Sequence, residues 1–384
     1  MKLTFYLLYL IVTVFLLLEI SARLFMNYNN PFDERWSMKL LYEDSPYGTT
    51  FSPNQIIYKT LKGKIQTDSI TYKINQYNQR GDRYNLEKSE NEIRIVFVGG
   101  SHIFDMYYFN YDGGDFSKDL ENKFINKHVK IINAGVPGHT LQNITTRIEK
   151  DILKYNPDIV IINSIWNDLK IITRYQDSTI TQTKAHIKKI SLPEKNPLVY
   201  KVNIYDTIFG YSVVYRKIRD YYWSKKMGIG LNKMVIEDFI SSEHYIKKDY
   251  KSGLSEYYEK SLLRCIKFLK ENNIMPILAI EERLIDANNK IVQKKRIQYG
   301  MINITSHNEL VNIFNQCDSV LYGLSSNNDI YLFNVNNKIP HNLDYFSDHV
   351  HTTKLGSQFM ANEYFKYLSP IVDSLITKQG NYIK

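Results

Sequence analysis

Cysteine is nearly absent. Cys265 and Cys317 are the only two in 384 residues, which excludes a disulfide framework and a paired-cysteine zinc knuckle and leaves open whether the two pair with each other. No internal repeat and no long low-complexity segment interrupts the chain, which excludes a repeat array. A polybasic tail is also missing. The net charge of +9 is spread in lysine-rich patches, which suits anionic surfaces such as lipid head groups or acidic glycans and gives no footprint for nucleic acid. Long apolar runs are missing with one exception. Residues 3–18 are uncharged and almost wholly apolar, and continuing that helix to Ala22 brings it near the ~20 residues that a bilayer needs. Glu19 and Arg23 stand four apart and can pair at the membrane boundary. A cut after Ala22 would put Ile20 at the upstream recognition position, so no good small-x-small cleavage site follows. An uncleaved anchor over residues 1–26 is expected, with Lys2 inside and the remaining chain extracytoplasmic.

What is present is ordinary for a globular domain, 43% hydrophobic and 23% charged, and long enough for a sizeable core. Tyr (31) and Phe (18) are numerous, which suits core packing and also carbohydrate stacking. Residues 27–92 are polar and turn-rich with short alternating runs, and read as a β-rich preface. The run Ile93-Arg-Ile-Val-Phe-Val-Gly-Gly-Ser101 then reads as a buried parallel strand stopping at two glycines and a serine. Helix over 116–127, strand Val129–Asn133, helix over 141–154 and strand Ile159–Asn163 follow. That alternation predicts βαβ units. Regularity is lost over about 170–250, where the aromatic and basic stretch 205–226 fits a packed insertion, a lid or a membrane-surface helix. It resumes with a helix over 254–272, strand Met275–Ile280, a helix over 305–317 and a strand over 329–335. A final amphipathic helix covers 356–375, within a domain spanning 93–375, and a tail 376–384 closes the chain. The expected fold class is a three-layer α/β/α domain with a mostly parallel sheet, preceded by a transmembrane helix.

Three strands end in polar turns on one sheet edge, where ligands of open α/β sheets bind. Ser101 offers a hydroxyl there, at the expected start of a helix. A serine nucleophile needs a base, an acid to orient it and donors for the oxyanion. His351 with Asp348 three residues upstream supplies the first two, and Gly138 N–H, Asn167 and the Ser101 N–H are candidate donors. Trp166 and His102 lie beside these groups as candidate substrate contacts, with packing the alternative for Trp166. Asp168 reads as a structural partner to nearby backbone. No spacing calls for a metal or a cofactor.

These segments resemble the blocks of the SGNH hydrolase superfamily, the GDSL esterases and lipases. Gly99-Gly-Ser101-His102 is similar to the nucleophile block, with glycine where the name motif has aspartate. Asn133-Ala-Gly-Val-Pro-Gly138 resembles the glycine block, Trp166-Asn167-Asp168 the Gly-x-Asn-Asp block, and Asp348-His-Val-His351 the closing Asp-x-x-His block. Residues 75–80 resemble the Asn-x-x-Gly-Phe-Arg turn of membrane-anchored members. Two positions depart from the pattern: Ile165 stands where the third block has glycine, and Asn78-Gln79 replace Gly-Phe. The resemblance implies Ser101 as nucleophile, Asp348 and His351 as its partners, and Ser101, Gly138 and Asn167 as the oxyanion hole. It further implies an ester substrate, with O-acetylated envelope glycans one class and hydrolysis or acyl transfer the outcome. A lipase-like enzyme on membrane lipids and a non-catalytic glycan-binding or assembly protein are the alternatives.

Overall fold

The computed structural model describes residues 2–25, 42–61, 64–106, 114–174, 204–209, 212–215, 217–218, 221, 250–297, 299, 304 and 306–382. Most of the expected insertion lies outside these residues. Five parallel strands form the central sheet: β5 (Ile93–Gly99), β6 (Val129–Asn133), β7 (Ile159–Asn163), β8 (Met275–Ile280) and β9 (Tyr331–Asn334). Their spatial order is β6-β5-β7-β8-β9. Counted from β5, this is the doubly wound order 2-1-3-4-5, whose direction of winding reverses between the first and third strands.

Strands β5 to β8 are buried on both faces, and alternate residues enter different cores, while Tyr331 of the edge strand β9 is exposed. Val96, Val98, Val160, Ile162, Leu278 and Ile280 pack on one side with α3 (Leu141–Lys150), the short α4 (Leu169–Arg174), α5 (Lys260–Glu271) and α6 (His307–Asn328). Ile95, Phe97, Ile159, Ile161, Ile277 and Ala279 pack on the other with α2 (Phe116–Lys123) and α7 (Lys354–Tyr382). The layers are therefore α/β/α. Each buried aliphatic or Phe side chain adds about 1.5–3 kcal/mol before its ordering entropy. Cys265 and Cys317 are both free and buried in the first core. Burial pushes the Cys265 thiol up to about 12.

Several helix ends differ from the sequence reading. Helix α2 stops at Lys123 and gives way to a 3-10 turn, Ile125–Lys127, and α3 stops at Lys150 before another, Ile152–Tyr155. In both cases a left-handed residue, His128 or Asn156, then reverses the chain. Helix α6 continues well past Cys317, from a Ser306 N-cap to a left-handed Asp329. The closing helix α7 reaches Tyr382, so residues after Leu375 continue it instead of forming a separate tail. Residues 101–105 form hydrogen-bonded turns, and no helix begins at Ser101.

Before the sheet come two antiparallel hairpins, β1 (Tyr42–Ser45) with β2 (Gly48–Phe51), and β3 (Gln55–Leu61) with β4 (Lys64–Ile74). After β4, Asn75 accepts from the backbone of Tyr77 and Gln79, and Asn78 takes φ +65°, the left-handed conformation glycine would adopt. This turn delivers Arg80 to the sheet, where it bridges Ile74 and Asn133.

The apolar helix α1 (Lys2–Phe25) is long and apolar enough to cross a membrane, as a span or a signal sequence would be. Its Glu19 carboxylate pairs with Arg23 and accepts from the backbone of Val213 and Val214.

Candidate active site

Four connections leave the carboxyl ends of the strands and meet above the point where the winding reverses. Ser101 follows β5, Gly138 follows β6, Asn167 follows β7, and the loop carrying Asp348 and His351 lies between β9 and α7. Gly99 and Gly135 make the first crossing possible. A Cβ on Gly99 would stand 2.6 Å from the Asn163 carbonyl, and one on Gly135 would stand 2.4 Å from the Phe104 amide. Neither position has room for a side chain.

The turn after Ser101 is closed by Phe104 N–H to the Gly100 carbonyl (3.1 Å) and Met106 N–H to the Ser101 carbonyl (3.0 Å). Asp105 within it takes φ +57° and turns its carboxylate inward. There it accepts from Phe116 N–H (2.9 Å), Thr352 Oγ1 (3.1 Å) and Ser357 Oγ. One buried acid therefore fastens the Ser101 turn to the start of α7, just beyond His351. Arg80 grips the same turn from the other side. It donates to the Phe104 and Asp105 carbonyls and to Gly114, pairs with Asp115, and lies over the rings of Tyr72 and Phe104.

Between these braces the Ser101 hydroxyl and His351 Nε2 are 2.7 Å apart. On the far side of the ring, His351 Nδ1 lies 2.9 and 2.8 Å from the two oxygens of Asp348. Asp348 also accepts from the backbone of Val350 (3.0 Å) and His351 (2.9 Å). Burial alone would raise this carboxyl, but His351, His349 and the hydrogen bonds hold it well below the usual range. A charged acid at Nδ1 keeps the proton on that nitrogen and leaves Nε2 free to accept from the serine. Ser101, at 8% exposure, and His351, at 5%, are just reached by solvent, whereas Asp348 is fully enclosed. The three side chains form a hydrogen-bonded Ser-His-Asp relay.

The turns carrying Asn167 and Gly138 lie beside this relay. Asn167 and Gly138 are both half-buried among enclosed neighbours. The Asn167 amide donates to the His139 carbonyl (2.9 Å) and lies 2.7 Å from where a Gly100 Cβ would be. Gly138 has φ +78°, a conformation suited to glycine. Among the described residues the N–H groups of Ser101 and Gly138 have no acceptor. Ile165 does not crowd this space. It has φ −146°, which needs no glycine, and its side chain is buried in the first core.

His102 and Trp166 are turned inward. His102 Nε2 meets the Asn163 carbonyl at 3.2 Å, and burial lowers its pKa. The Trp166 indole lies 3.8 Å, centroid to centroid, from His349 and faces Phe314. Both pack beneath the site and present little to a substrate.

Asp168 anchors the third loop. It accepts from Leu141 N–H (2.7 Å), Ser164 Oγ and the Tyr257 hydroxyl (2.6 Å), and burial pushes its carboxyl up to about 6. Tyr257 and its neighbour Tyr258, whose hydroxyl donates to the Ser164 carbonyl (2.9 Å), sit in a π turn, Leu254–Glu259, that leads into α5. The preface closes the wall behind Gly138. His139 Nε2 meets the Thr49 carbonyl at 2.7 Å, and Asn143 donates to the Tyr47 carbonyl. Burial pushes the His139 imidazole down to about 3, so its neutral ring donates. Sequence reading passed over Arg80, Asp105, Glu281 and the two tyrosines. Only Arg80, in the turn resembling that of anchored members, carried a signal there.

No protein-family model and no curated protein matches the chain. Solved structures similar to it include a GDSL-like lipase from Bacteroides thetaiotaomicron VPI-5482 (13% identity, 75% of this chain and 91% of that one, TM-score 0.39). Others are the lipase/acylhydrolase from Enterococcus faecalis (12%, 72% and 95%, TM-score 0.39) and a catalytic mutant of an acetylxylan esterase from Geobacillus stearothermophilus (14%, 73% and 95%, TM-score 0.39).

Proposed function

We propose that the protein is a serine ester hydrolase working through an acyl-enzyme. The observation that carries this is the continuous set of hydrogen bonds from Ser101 Oγ through His351 to Asp348. Ser101 attacks the ester carbonyl while His351 Nε2 takes its proton. The tetrahedral oxyanion is received by the N–H groups of Ser101 and Gly138 and the Asn167 amide. His351 returns the proton to the leaving alcohol, and Asp348 stabilises the imidazolium in between. A water activated by His351 then releases the acid. If a sugar hydroxyl takes the place of that water, the same steps transfer the acyl group.

The substrate class that goes with this reading is an O-acetylated glycan of the cell envelope. Helix α1 anchors residues 27 onward at the extracytoplasmic face, with 27–92 as preface and 93–375 as hydrolase domain. A second reading, ester lipids of the bilayer, is favoured by Tyr205, Ile208, Phe209, Ile218 and Tyr221, whose side chains are exposed next to the segment that Glu19 holds. The test is fluorophosphonate labelling of the full chain in detergent micelles, with Ser101→Ala and His351→Ala beside it, followed by p-nitrophenyl esters from acetyl to decanoyl. Labelling lost in both variants, with acetyl ester turned over fastest, supports the glycan deacetylase. A maximum at octanoyl or longer supports the lipid reading. A folded wild-type chain that neither labels nor hydrolyses any of these esters refutes both.

A further inference from the structure

Strand β8 ends at Ile280, and the next residue, Glu281, has no solvent exposure. No lysine or arginine among the described residues pairs with its side chain. An isolated buried carboxylate is costly, and an apolar residue of similar volume would serve packing better. Its surroundings show what it does. Glu281 Oε2 accepts from Ile165 N–H at 2.8 Å, and Trp166 N–H is shared between Oε1 at 3.2 Å and Oε2 at 3.3 Å. His102 Nε2, on the residue after Ser101, lies 3.6 Å from Oε2.

The loop 164–168 is thereby held along its length. Tyr258 holds the Ser164 carbonyl, Glu281 holds the amides of Ile165 and Trp166, and Asp168 is bonded to Ser164, Tyr257 and Leu141. Asn167 alone in this stretch is partly exposed, and its amide donates to the His139 carbonyl at 2.9 Å beside Gly100. Two consecutive N–H groups caught by one carboxylate fix the Ser164–Ile165 and Ile165–Trp166 peptide planes, one residue short of Asn167, and so limit the direction in which its side chain leaves the backbone.

We propose that Glu281 is the positioning residue of the oxyanion pocket, a buried carboxylate that clamps the Ile165–Trp166 backbone and aims the Asn167 amide at the oxygen developing over Ser101. This rests on the serine hydrolase reading. Glu281 touches no reacting atom and acts only through Asn167, so its contribution exists only while that amide is present.

The experiment is a double-mutant cycle in the full chain with p-nitrophenyl acetate: Glu281→Gln, Asn167→Ala and the pair. Glutamine keeps the volume but offers one carbonyl oxygen, so its amide nitrogen faces N–H groups that need an acceptor. The expected result is a kcat lowered about 10- to 100-fold by Glu281→Gln, on the scale of a misplaced oxyanion donor. KM should stay within about threefold, since the donor acts on the transition state. In the Asn167→Ala background the Glu281 substitution should cost less than about threefold more. Losses that multiply independently, a loss confined to KM, or a Glu281→Gln enzyme as active as wild type would overturn the proposal while leaving the hydrolase reading intact. A folded wild type without labelling or turnover overturns both. Should Glu281→Gln fail to fold, Glu281→Asp replaces it, keeping the charge but withdrawing the carboxylate from the loop, and the same cycle decides.

Discussion

Replacing Asp348 by Asn tests the order of the hydrogen bonds while leaving shape alone. The carboxylate accepts from Val350 N–H, His351 N–H and His351 Nδ1. An asparagine oxygen can keep the two backbone bonds, which turns its NH2 group toward Nδ1. The imidazole then has to present a lone pair to that amide, so its proton moves to Nε2, 2.7 Å from Ser101 Oγ. The nitrogen that should take the serine's proton is then already protonated, and the base is lost without displacing an atom. The expected fall in kcat is about 10³- to 10⁴-fold, or roughly 4–5.5 kcal/mol of barrier at 1.36 kcal/mol per decade. Stability should fall by only about 1.5–3 kcal/mol, the worth of one charge-assisted hydrogen bond. Initial rates on p-nitrophenyl acetate, the rate constant of fluorophosphonate labelling and a thermal melt of the same preparation measure all three. A folded Asp348→Asn protein within tenfold of wild type in both rates would refute the assignment of Asp348 as the residue that sets the tautomer.

Two further outcomes follow from buried groups around the same loops. Asp168, raised to about 6 by burial, favours its protonated form in the folded state, so its stabilising contribution is complete below about pH 4 and is lost as pH rises through about 6. Urea unfolding of wild type against Asp168→Asn across pH 4–7 should show the wild type losing about 3 kcal/mol relative to the variant, and parallel pH profiles would refute this. Gly100→Ala and Gly135→Ala should fail in different ways. The new methyl on Gly100 meets the movable Asn167 amide at 2.7 Å, so kcat should drop about 10- to 100-fold with little change in melting temperature. On Gly135 it meets the Phe104 backbone at 2.4 Å, so the protein should lose about 1–3 kcal/mol of stability. Equal effects of the two on activity and melting would contradict the geometry.

Much of the sheet is legible in the chain because its strands are short, largely apolar runs ended by glycine, asparagine or, after β8, by two glutamates. Val129–Asn133, Ile159–Asn163 and Met275–Ile280 begin and end where the residues say they should. Helix ends were less legible, since α2 and α3 finish in 3-10 turns whose residues keep the apolar spacing of the helix before them. Residues 101, 138 and 167 stand out as polar or glycine residues in turns after apolar strands, and Asp348 and His351 as an acid and a histidine three apart just before the last helix. Glu281 and Glu282 look on paper like a solvated charged turn, yet both are fully buried. Nothing local marks them, because the donors that Glu281 receives belong to a loop more than a hundred residues earlier. Asp105 is silent for the same reason, its partners Thr352 and Ser357 coming from the far end of the chain.

The contact between Ser101 and His351 spans 250 positions, and this sets the order in which the protein can mature. The first four strands of the parallel sheet can be synthesised and can begin to pair while the last hundred residues are still being made. The serine turn, however, lacks His351 for its hydroxyl and Thr352 and Ser357 for Asp105 until the loop before α7 and the first turn of that helix arrive. Closing a loop of that length is slow, and its entropy is recovered only when the final contacts form. A nascent or C-terminally truncated chain would thus carry the Ser101 hydroxyl without its histidine, and under the proposed function reactivity would appear as the last event of folding.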